Sequence, residues 1–269
     1  MFLSDYHTHT KYSFDSKEEP AVLCQKAVEK GLKSIAITDH FDCDYDEFEY
    51  PLVFETEKRR DEIYELKDRY KGRLDVIYGV ELGQPNHRPE VARKLLQNGS
   101  FEFVLGSLHN LEGCPDFYYY NYSKMTGRML NVVVKKMLRE LTEVAMFGGI
   151  DSLAHITYPH RYVREAGNDL CFRDFYTEIE NLYVLLIKNG ISLEINTSTL
   201  WKGYDFSMPD YDLLKLYYEC GGRLITVGSD AHSGDNVGGG IDQAYAKLKK
   251  IGFNKTTVVV NGKKELARI

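Results

Sequence analysis

The sequence predicts an α/β protein whose parallel strands, each followed by a helix, close into a TIM-like barrel. Three observations predict it. Strand-like runs alternate with helix-patterned stretches along the whole chain. The runs are continuous in apolar residues, as in strands buried on both faces. They also end on His, Asp or Glu, which is where active sites lie in such barrels. Seven strand–helix units can be traced, with a questionable eighth, and 269 residues suffice for one catalytic barrel domain spanning 1–269.

If Leu3 to His9 is a strand, Asp5, His7 and His9 share one face, because side chains alternate with period two. Two imidazoles and a carboxylate pointing one way make a metal cradle, and an edge strand with surface histidines is the plainer alternative. A polar loop with Asp15 leads to a helix over about Lys17 to Lys30, with Val22, Leu23, Ala27 and Val28 at helical spacing and Gly31 as its stop. Lys33 to Asp39 is the second strand and runs into His40. The loop Asp42 to Glu49 is acidic and aromatic, and Phe54 to Tyr70 has the charge of a solvated barrel helix.

Asp75 to Val80 ends at Glu81, a short helix covers about Pro89 to Gln97, and Phe101 to Leu108 ends at His109. The loop Asn110 to Thr126 carries Tyr118, Tyr119, Tyr120 and Tyr122, either a lid or a surface packed on its neighbours. Helix Gly127 to Phe147 is followed by strand Ile150 to Ala154, which delivers His155, and by a loop, Ile156 to Asn168, with His160 and Arg161. Helix Phe172 to Lys188 stops at Gly190. Strand Ile191 to Ile195 carries Glu194 and exits at Asn196. Helix Asp210 to Cys220 precedes strand Leu224 to Val227, which leads into Ser229-Asp230-Ala231-His232. The glycine-rich loop Gly234 to Gly240 lacks the Walker lysine and reads as flexible. Helix Ile241 to Ile251 and the run Thr256 to Val260 complete the series.

Composition excludes several classes. Hydrophobic content of 43% with 28% charged residues is that of a soluble globular protein, and no apolar run approaches the roughly 20 residues of a membrane span. No secretory signal is visible, and a cytoplasmic location is expected. The five cysteines are spread out with no Cys-x-x-Cys pair, which argues against disulfides and thiolate zinc sites. A net charge of -6 without a basic cluster excludes duplex nucleic acid as a main partner. Six of the eight histidines fall at strand exits, whereas structural histidines would also be scattered over helices and loops.

Taken together, Asp5-Tyr6-His7-Thr8-His9, Thr38-Asp39-His40, Gly79-Val80-Glu81, Ser107-Leu108-His109, Ala154-His155 and Ser229-Asp230-Ala231-His232 resemble the polymerase and histidinol phosphatase (PHP) superfamily. Length and layout are similar to those of its monofunctional histidinol-phosphate phosphatases. The resemblance implies a distorted seven-stranded (β/α) barrel with three divalent metal ions, zinc, iron or manganese. It implies His7, His9, Glu81 and Asp230 at one metal, Glu81, His109 and His155 at a second, and Asp15, His40 and His232 at a third. Asp15 departs from the histidine that many relatives carry there.

The chemistry expected of such a centre is attack by a metal-bridging hydroxide on a phosphate monoester, here L-histidinol phosphate, releasing L-histidinol and phosphate. Arg161 is the candidate phosphate clamp, since guanidinium matches phosphate oxygens. Asp230 and His232 are candidate proton relays and His160 a candidate leaving-group acid. Asn196, Tyr118 and Asp42 are candidate substrate contacts. The alternatives are another phosphoesterase of the superfamily, acting on nucleotides or phosphotyrosine, and a barrel that binds without catalysis.

Overall fold

The computed structural model describes residues 2–44 and 56–269. The acidic positions Asp46, Glu47 and Glu49 and the expected helix start at Phe54 lie outside the described residues. Strand β1 (Ser4–Asp5) is followed by helix α1 (Pro20–Glu29), strands β2 (Ser34–Ile37) and β3 (His40–Asp42), helix α2 (Thr56–Tyr70) and strand β4 (Asp75–Gly83). The chain continues through α3 (Pro89–Gly99), β5 (Phe103–Ser107), α4 (Gly127–Phe147), β6 (Ser152–Leu153), α5 (His160–Glu165), α6 (Tyr176–Asn189) and β7 (Ser192–Asn196). Helices α7 (Ser198–Trp201) and α8 (Tyr211–Glu219), strand β8 (Ile225–Gly228), helix α9 (Ile241–Ile251) and strands β9 (Lys255–Val260) and β10 (Lys263–Arg268) complete it.

The helices start and stop where local chemistry dictates. Pro20 opens α1, where its missing N–H costs nothing, and Gly31 follows the helix at φ +75°. The Thr126 hydroxyl accepts from the Met129 N–H at the start of α4, whose buried Leu130, Val134, Met137, Leu141 and Val144 form one apolar stripe. Asp210 caps α8 through the Leu213 N–H.

Strands β1, β2, β4, β5, β6, β7 and β8 lie side by side in that order, all parallel, as a barrel nearly closed at one seam. The distorted seven-stranded barrel expected from the sequence is therefore the observed fold. Backbone bonds bridge the seam: Tyr6 N–H to the Val227 carbonyl at 2.9 Å, and Asp230 N–H to the His7 carbonyl at 2.8 Å. Alternation sorts the side chains between two apolar layers. Ile35, Ile37, Val76 and Tyr78 pack with residues of α1 and α2, whereas Ala36 and Ile77 join Tyr6, Phe103, Leu105 and Ala154 in the interior.

Three differences from the sequence reading matter for the site. The run Thr256 to Val260 is no eighth unit. It pairs antiparallel with β10 in a hairpin that adds Val258 and Val259 to the interior cluster at the strands' starting ends. The Tyr6 hydroxyl accepts from the Val259 N–H at 2.6 Å, and Ser192 at the start of β7 bonds Thr257. Second, the loop from Ile156 to Asn168 contains the helical turns of α5. Third, His7 and His9 face Glu81 together as period two expects, but Asp5 does not join them and is held by Ser229 and Gly238. No helix among the described residues is long and apolar enough to cross a membrane.

Candidate metal centre

Glu81 is the hub. The parallel register of β3 on β4 sets His40 directly beside it, and its backbone N–H is held by the carbonyls of Thr38 and Asp39, each at 3.2 Å. Its fully buried carboxylate divides between two sets of imidazoles. Oε1 lies 3.0 Å from Nε2 of both His109 and His155, while Oε2 lies 3.0 Å from His7 Nε2, 3.0 Å from His40 Nδ1 and 3.4 Å from His9 Nε2. Asp230 Oδ1 stands 3.4 Å from His9 Nε2 and 3.7 Å from His7 Nε2. Asp15 Oδ2 meets His232 Nε2 at 2.9 Å and His40 Nε2 at 3.6 Å. The rings of His9 and His40, and of His9 and His232, stack at 4.2 Å between centroids.

A surrounding layer aims these donors. Glu194 Oε1 accepts from His7 Nδ1 at 2.7 Å and its Oε2 from the His155 N–H at 2.9 Å. Asp42 Oδ1 lies 2.8 Å from His109 Nδ1, and Ser13 Oγ lies 3.0 Å from His9 Nδ1. A carboxylate behind an imidazole fixes its tautomer and raises its basicity, as ligating histidines require. Asp39 takes bonds from the Thr10 N–H and hydroxyl, from Ser13 and from the buried Arg59 guanidinium, which also donates to the carbonyls of Ile37 and Gly79. Two ligand-type residues, His155 at φ +23° and Asp230 at φ +56°, sit in left-handed backbone, a strain typical of functional sites.

The donor set fits divalent cations. His9 Nε2, His40 Nδ1 and His232 Nε2 are buried and make no hydrogen bond despite carboxylate oxygens nearby, which leaves their lone pairs free for a cation. Four overlapping groups bring ligand atoms together: His7, His9 and Asp230; His7, Glu81 and His155; His9, His40 and His232; His40, Asp42 and His109. Charge tells the same story. Burial opposes charge on all of them, yet the carboxylates Glu81, Glu194 and Asp230 push His7 well above its ordinary pKa, and His7, His40 and His109 hold Glu81 well below its own. His9, burdened by burial and by the neighbouring His232 and His40, drops to about 3 and stays a neutral donor. A field that recruits positive charge around nitrogen and oxygen donors is a divalent-metal site.

The remaining predicted residues divide. Arg161 and Tyr118 line the same cavity of about 860 Å³ as Glu81, Asp230 and His232. The Arg161 guanidinium lies 4.5 Å from the ring centres of both Tyr158 and Tyr162 and donates to both hydroxyls. His160 does not join them. The first turn of α5 turns it away, onto Phe206 at 4.6 Å and Phe172 at 5.3 Å, so the expected leaving-group acid does not line the cavity that holds Glu81. Asn196 is fully buried behind Asp230, donating to its Oδ2 at 3.3 Å while accepting from Ser198, and does not line the cavity. Asp42 lines the cavity but is engaged by His109. Asp5 takes no part in the cradle either: its carboxylate accepts from Ser229 and Gly238 and ties the β8 exit to the glycine-rich loop. That loop is seated rather than free, with Gly239 so close to the Trp201 ring that a Cβ would stand 2.8 Å from it.

Sequence reasoning gave no role to Glu194, Asp39, Arg59 or Trp201. A carboxylate inside an apolar strand was the available signal for Glu194. For Arg59 there was none, since it sits among the charges of a helix whose other arginines, Arg60 and Arg69, are partly or fully exposed to solvent.

Comparison with known proteins agrees with the geometry. The chain is 30% identical over 267 residues to the probable histidinol-phosphatase of Thermotoga maritima, covering 97% of this chain and 96% of that protein. It is 31% identical to the probable histidinol-phosphatase of Clostridium acetobutylicum, with 93% and 96% covered. Among solved structures it shares the fold of the histidinol phosphate phosphatase of Lactococcus lactis, complexed with Zn, L-histidinol and phosphate, at a TM-score of 0.80 and 24% identity over 98% of each chain. The PHP domain model matches residues 5–198, while Asp230 and His232 come from beyond that stretch to the same centre. The chain belongs to the PHP domain family.

Proposed function

We propose that this protein is a metal-dependent histidinol-phosphatase, hydrolysing L-histidinol phosphate to L-histidinol and phosphate in histidine biosynthesis, with residues 1–269 acting as one catalytic unit. Full-length similarity to proteins named for that activity supports the reading. The single observation that carries it is the Glu81 carboxylate, shared between two imidazole sets in a cavity whose wall presents Arg161. A cytoplasmic setting belongs to the same proposal and suits five free cysteines.

In this proposal three divalent ions, zinc, iron or manganese, occupy the centre. His7, His9, Glu81 and Asp230 would hold one, Glu81, His109 and His155 a second, and Asp15, His40 and His232 a third. Bound cations supply charge for the phosphoryl oxygens and make water acidic enough to furnish hydroxide near neutral pH. Glu194 and Asp42 orient His7 and His109, Asn196 steadies Asp230, and Arg161 receives phosphate oxygens with a guanidinium preset by two tyrosines. Asp230 and His232, both on the cavity wall, are the groups able to take or give a proton there. Tyr118 stands at the rim, where Asp44 and Asp116 offer negative charge to a cationic amine or imidazole.

The test is phosphate release from a panel of monoesters by metal-loaded protein. Histidinol phosphate should show the highest kcat/KM, with turnover abolished by a strong chelator and recovered on restoring metal. A nucleotide or phosphotyrosine ranking far above it would replace the substrate, and full turnover without metal would overturn the reading.

A further inference from the structure

Carboxylates dominate the main cavity, and among the described residues only three lysine or arginine side chains line it: Arg88, Arg161 and Lys202. The last two share a wall although they come from distant parts of the chain. Arg161 lies in α5, and Lys202 caps α7, its N–H donating to the carbonyls of Leu200 and Ser198. The Arg161 guanidinium is near enough to Lys202 to oppose its positive charge, and both cations feel Asp230.

Lys202 is placed by a built platform. The Trp201 indole N–H donates to the Ser229 carbonyl at 2.8 Å, next to Asp230, and Gly239 packs flat on the indole. Lys202 Nζ stands 5.1 Å from the centre of that ring. Neither cation has a carboxylate within ion-pairing distance among the described residues. Glu165, the nearest acid to influence Lys202 besides Asp230, instead accepts from the Tyr204 hydroxyl at 3.1 Å. The surrounding protein and Arg161 together hold the Lys202 ammonium below the ordinary lysine value. Two cations on one wall with no carboxylate bonded to either repel one another beyond what Asp230 offsets, and that repulsion is relieved by an anion carrying close to two charges. A phosphate monoester has about -1.5 to -2 at neutral pH, whereas a diester, with its single acidic proton, has about -1.

We infer that Lys202 is a second phosphate-binding cation of this site, set on Trp201 beside Arg161 so that the pair selects monoester dianions over diesters. The inference rests on the phosphatase reading above, and its test uses inorganic phosphate, the product common to every monoester. In metal-loaded protein, calorimetry should show Lys202→Gln binding phosphate about 10- to 100-fold more weakly than wild type, the range expected for losing one charge-assisted contact. Lys202→Arg should stay within about threefold by keeping the charge. Metal content should be unchanged in both, and KM for the best monoester should rise with the phosphate dissociation constant while kcat changes less. Phosphate bound equally well by Lys202→Gln overturns the inference. So does an equal loss in Lys202→Arg, or a loss that follows departure of the metals. Absence of turnover on histidinol phosphate with the phosphate effect intact would sink the substrate proposal and leave this one standing.

Discussion

The two ends of the barrel are built from the same strands and could hardly differ more. At the starting ends, Tyr6, Ala36, Ile77, Phe103 and Leu105 meet Val258 and Val259 of the β9–β10 hairpin in a dry, close-packed interior. The Tyr6 and Phe103 rings meet edge to face at 5.1 Å between centroids. At the finishing ends, a few residues further along the same strands, carboxylates and imidazoles crowd around Glu81 with several nitrogens left without hydrogen bonds. The lesson is a division of labour. Apolar burial at one end stabilises the fold enough for the other end to keep desolvated charges and left-handed backbone that cost free energy in the absence of a cation.

Breaking each end separately should therefore give opposite phenotypes. Glu81→Gln carries the largest expected effect: activity should fall on the order of 10³-fold or more, with metal content reduced, because one substitution removes the charge shared by both imidazole sets. Metal-free, the variant should be less stable than metal-free wild type, because the imidazoles that face Glu81 lose their counter-charge, yet it should remain folded. Phe103→Ala at the other end should cost about 3–5 kcal/mol in denaturant unfolding and leave kcat within about twofold. An inactive yet stable Phe103→Ala, or an unfolded Glu81→Gln, would dissolve the division.

The third experiment tests a histidine at the catalytic end that serves structure instead. His87 bridges Asp44 Oδ2 at 2.7 Å and Glu140 Oε2 at 2.8 Å, and although burial alone would lower its pKa, those carboxylates raise it from 6.5 to about 9. A group raised on folding contributes stability that is fully present below pH 6.5 and lost as pH climbs through 9. Unfolding free energy should decline over that window by about 1–2 kcal/mol after allowance for solvent screening, and His87→Gln should abolish the decline. A wild-type profile that stays flat between pH 6.5 and 9 would show that the bridge contributes nothing.

How much of this could be read from the chain alone depends on where each residue gets its direction. Positions at strand exits were legible: His7, His40, Glu81, His109, His155, Asp230 and His232 each close an apolar run, and a parallel barrel delivers all such ends to one rim. Residues whose aim depends on a helical turn were not. His160 lies only five residues past His155, and a single turn of α5 rotates it into a separate aromatic pocket. Glu194 points at His7 because β7 joins β6 and β8 in a particular register, which nothing local specifies. The second hairpin strand, Lys263 to Arg268, is polar and mostly exposed, so no periodic burial marked it. Asp5 satisfied the period-two argument and still went elsewhere, engaged by Ser229 and Gly238, partners that only the closed barrel brings to it.

The left-handed backbone at Asp230 also governs how that position can be probed. Asparagine tolerates such a conformation better than most residues and preserves the side chain's shape, so Asp230→Asn changes charge alone. Alanine would alter charge, bulk and main-chain preference together, and its phenotype would blend three causes. Chain geometry has thus already selected the one replacement whose result can be read as electrostatics.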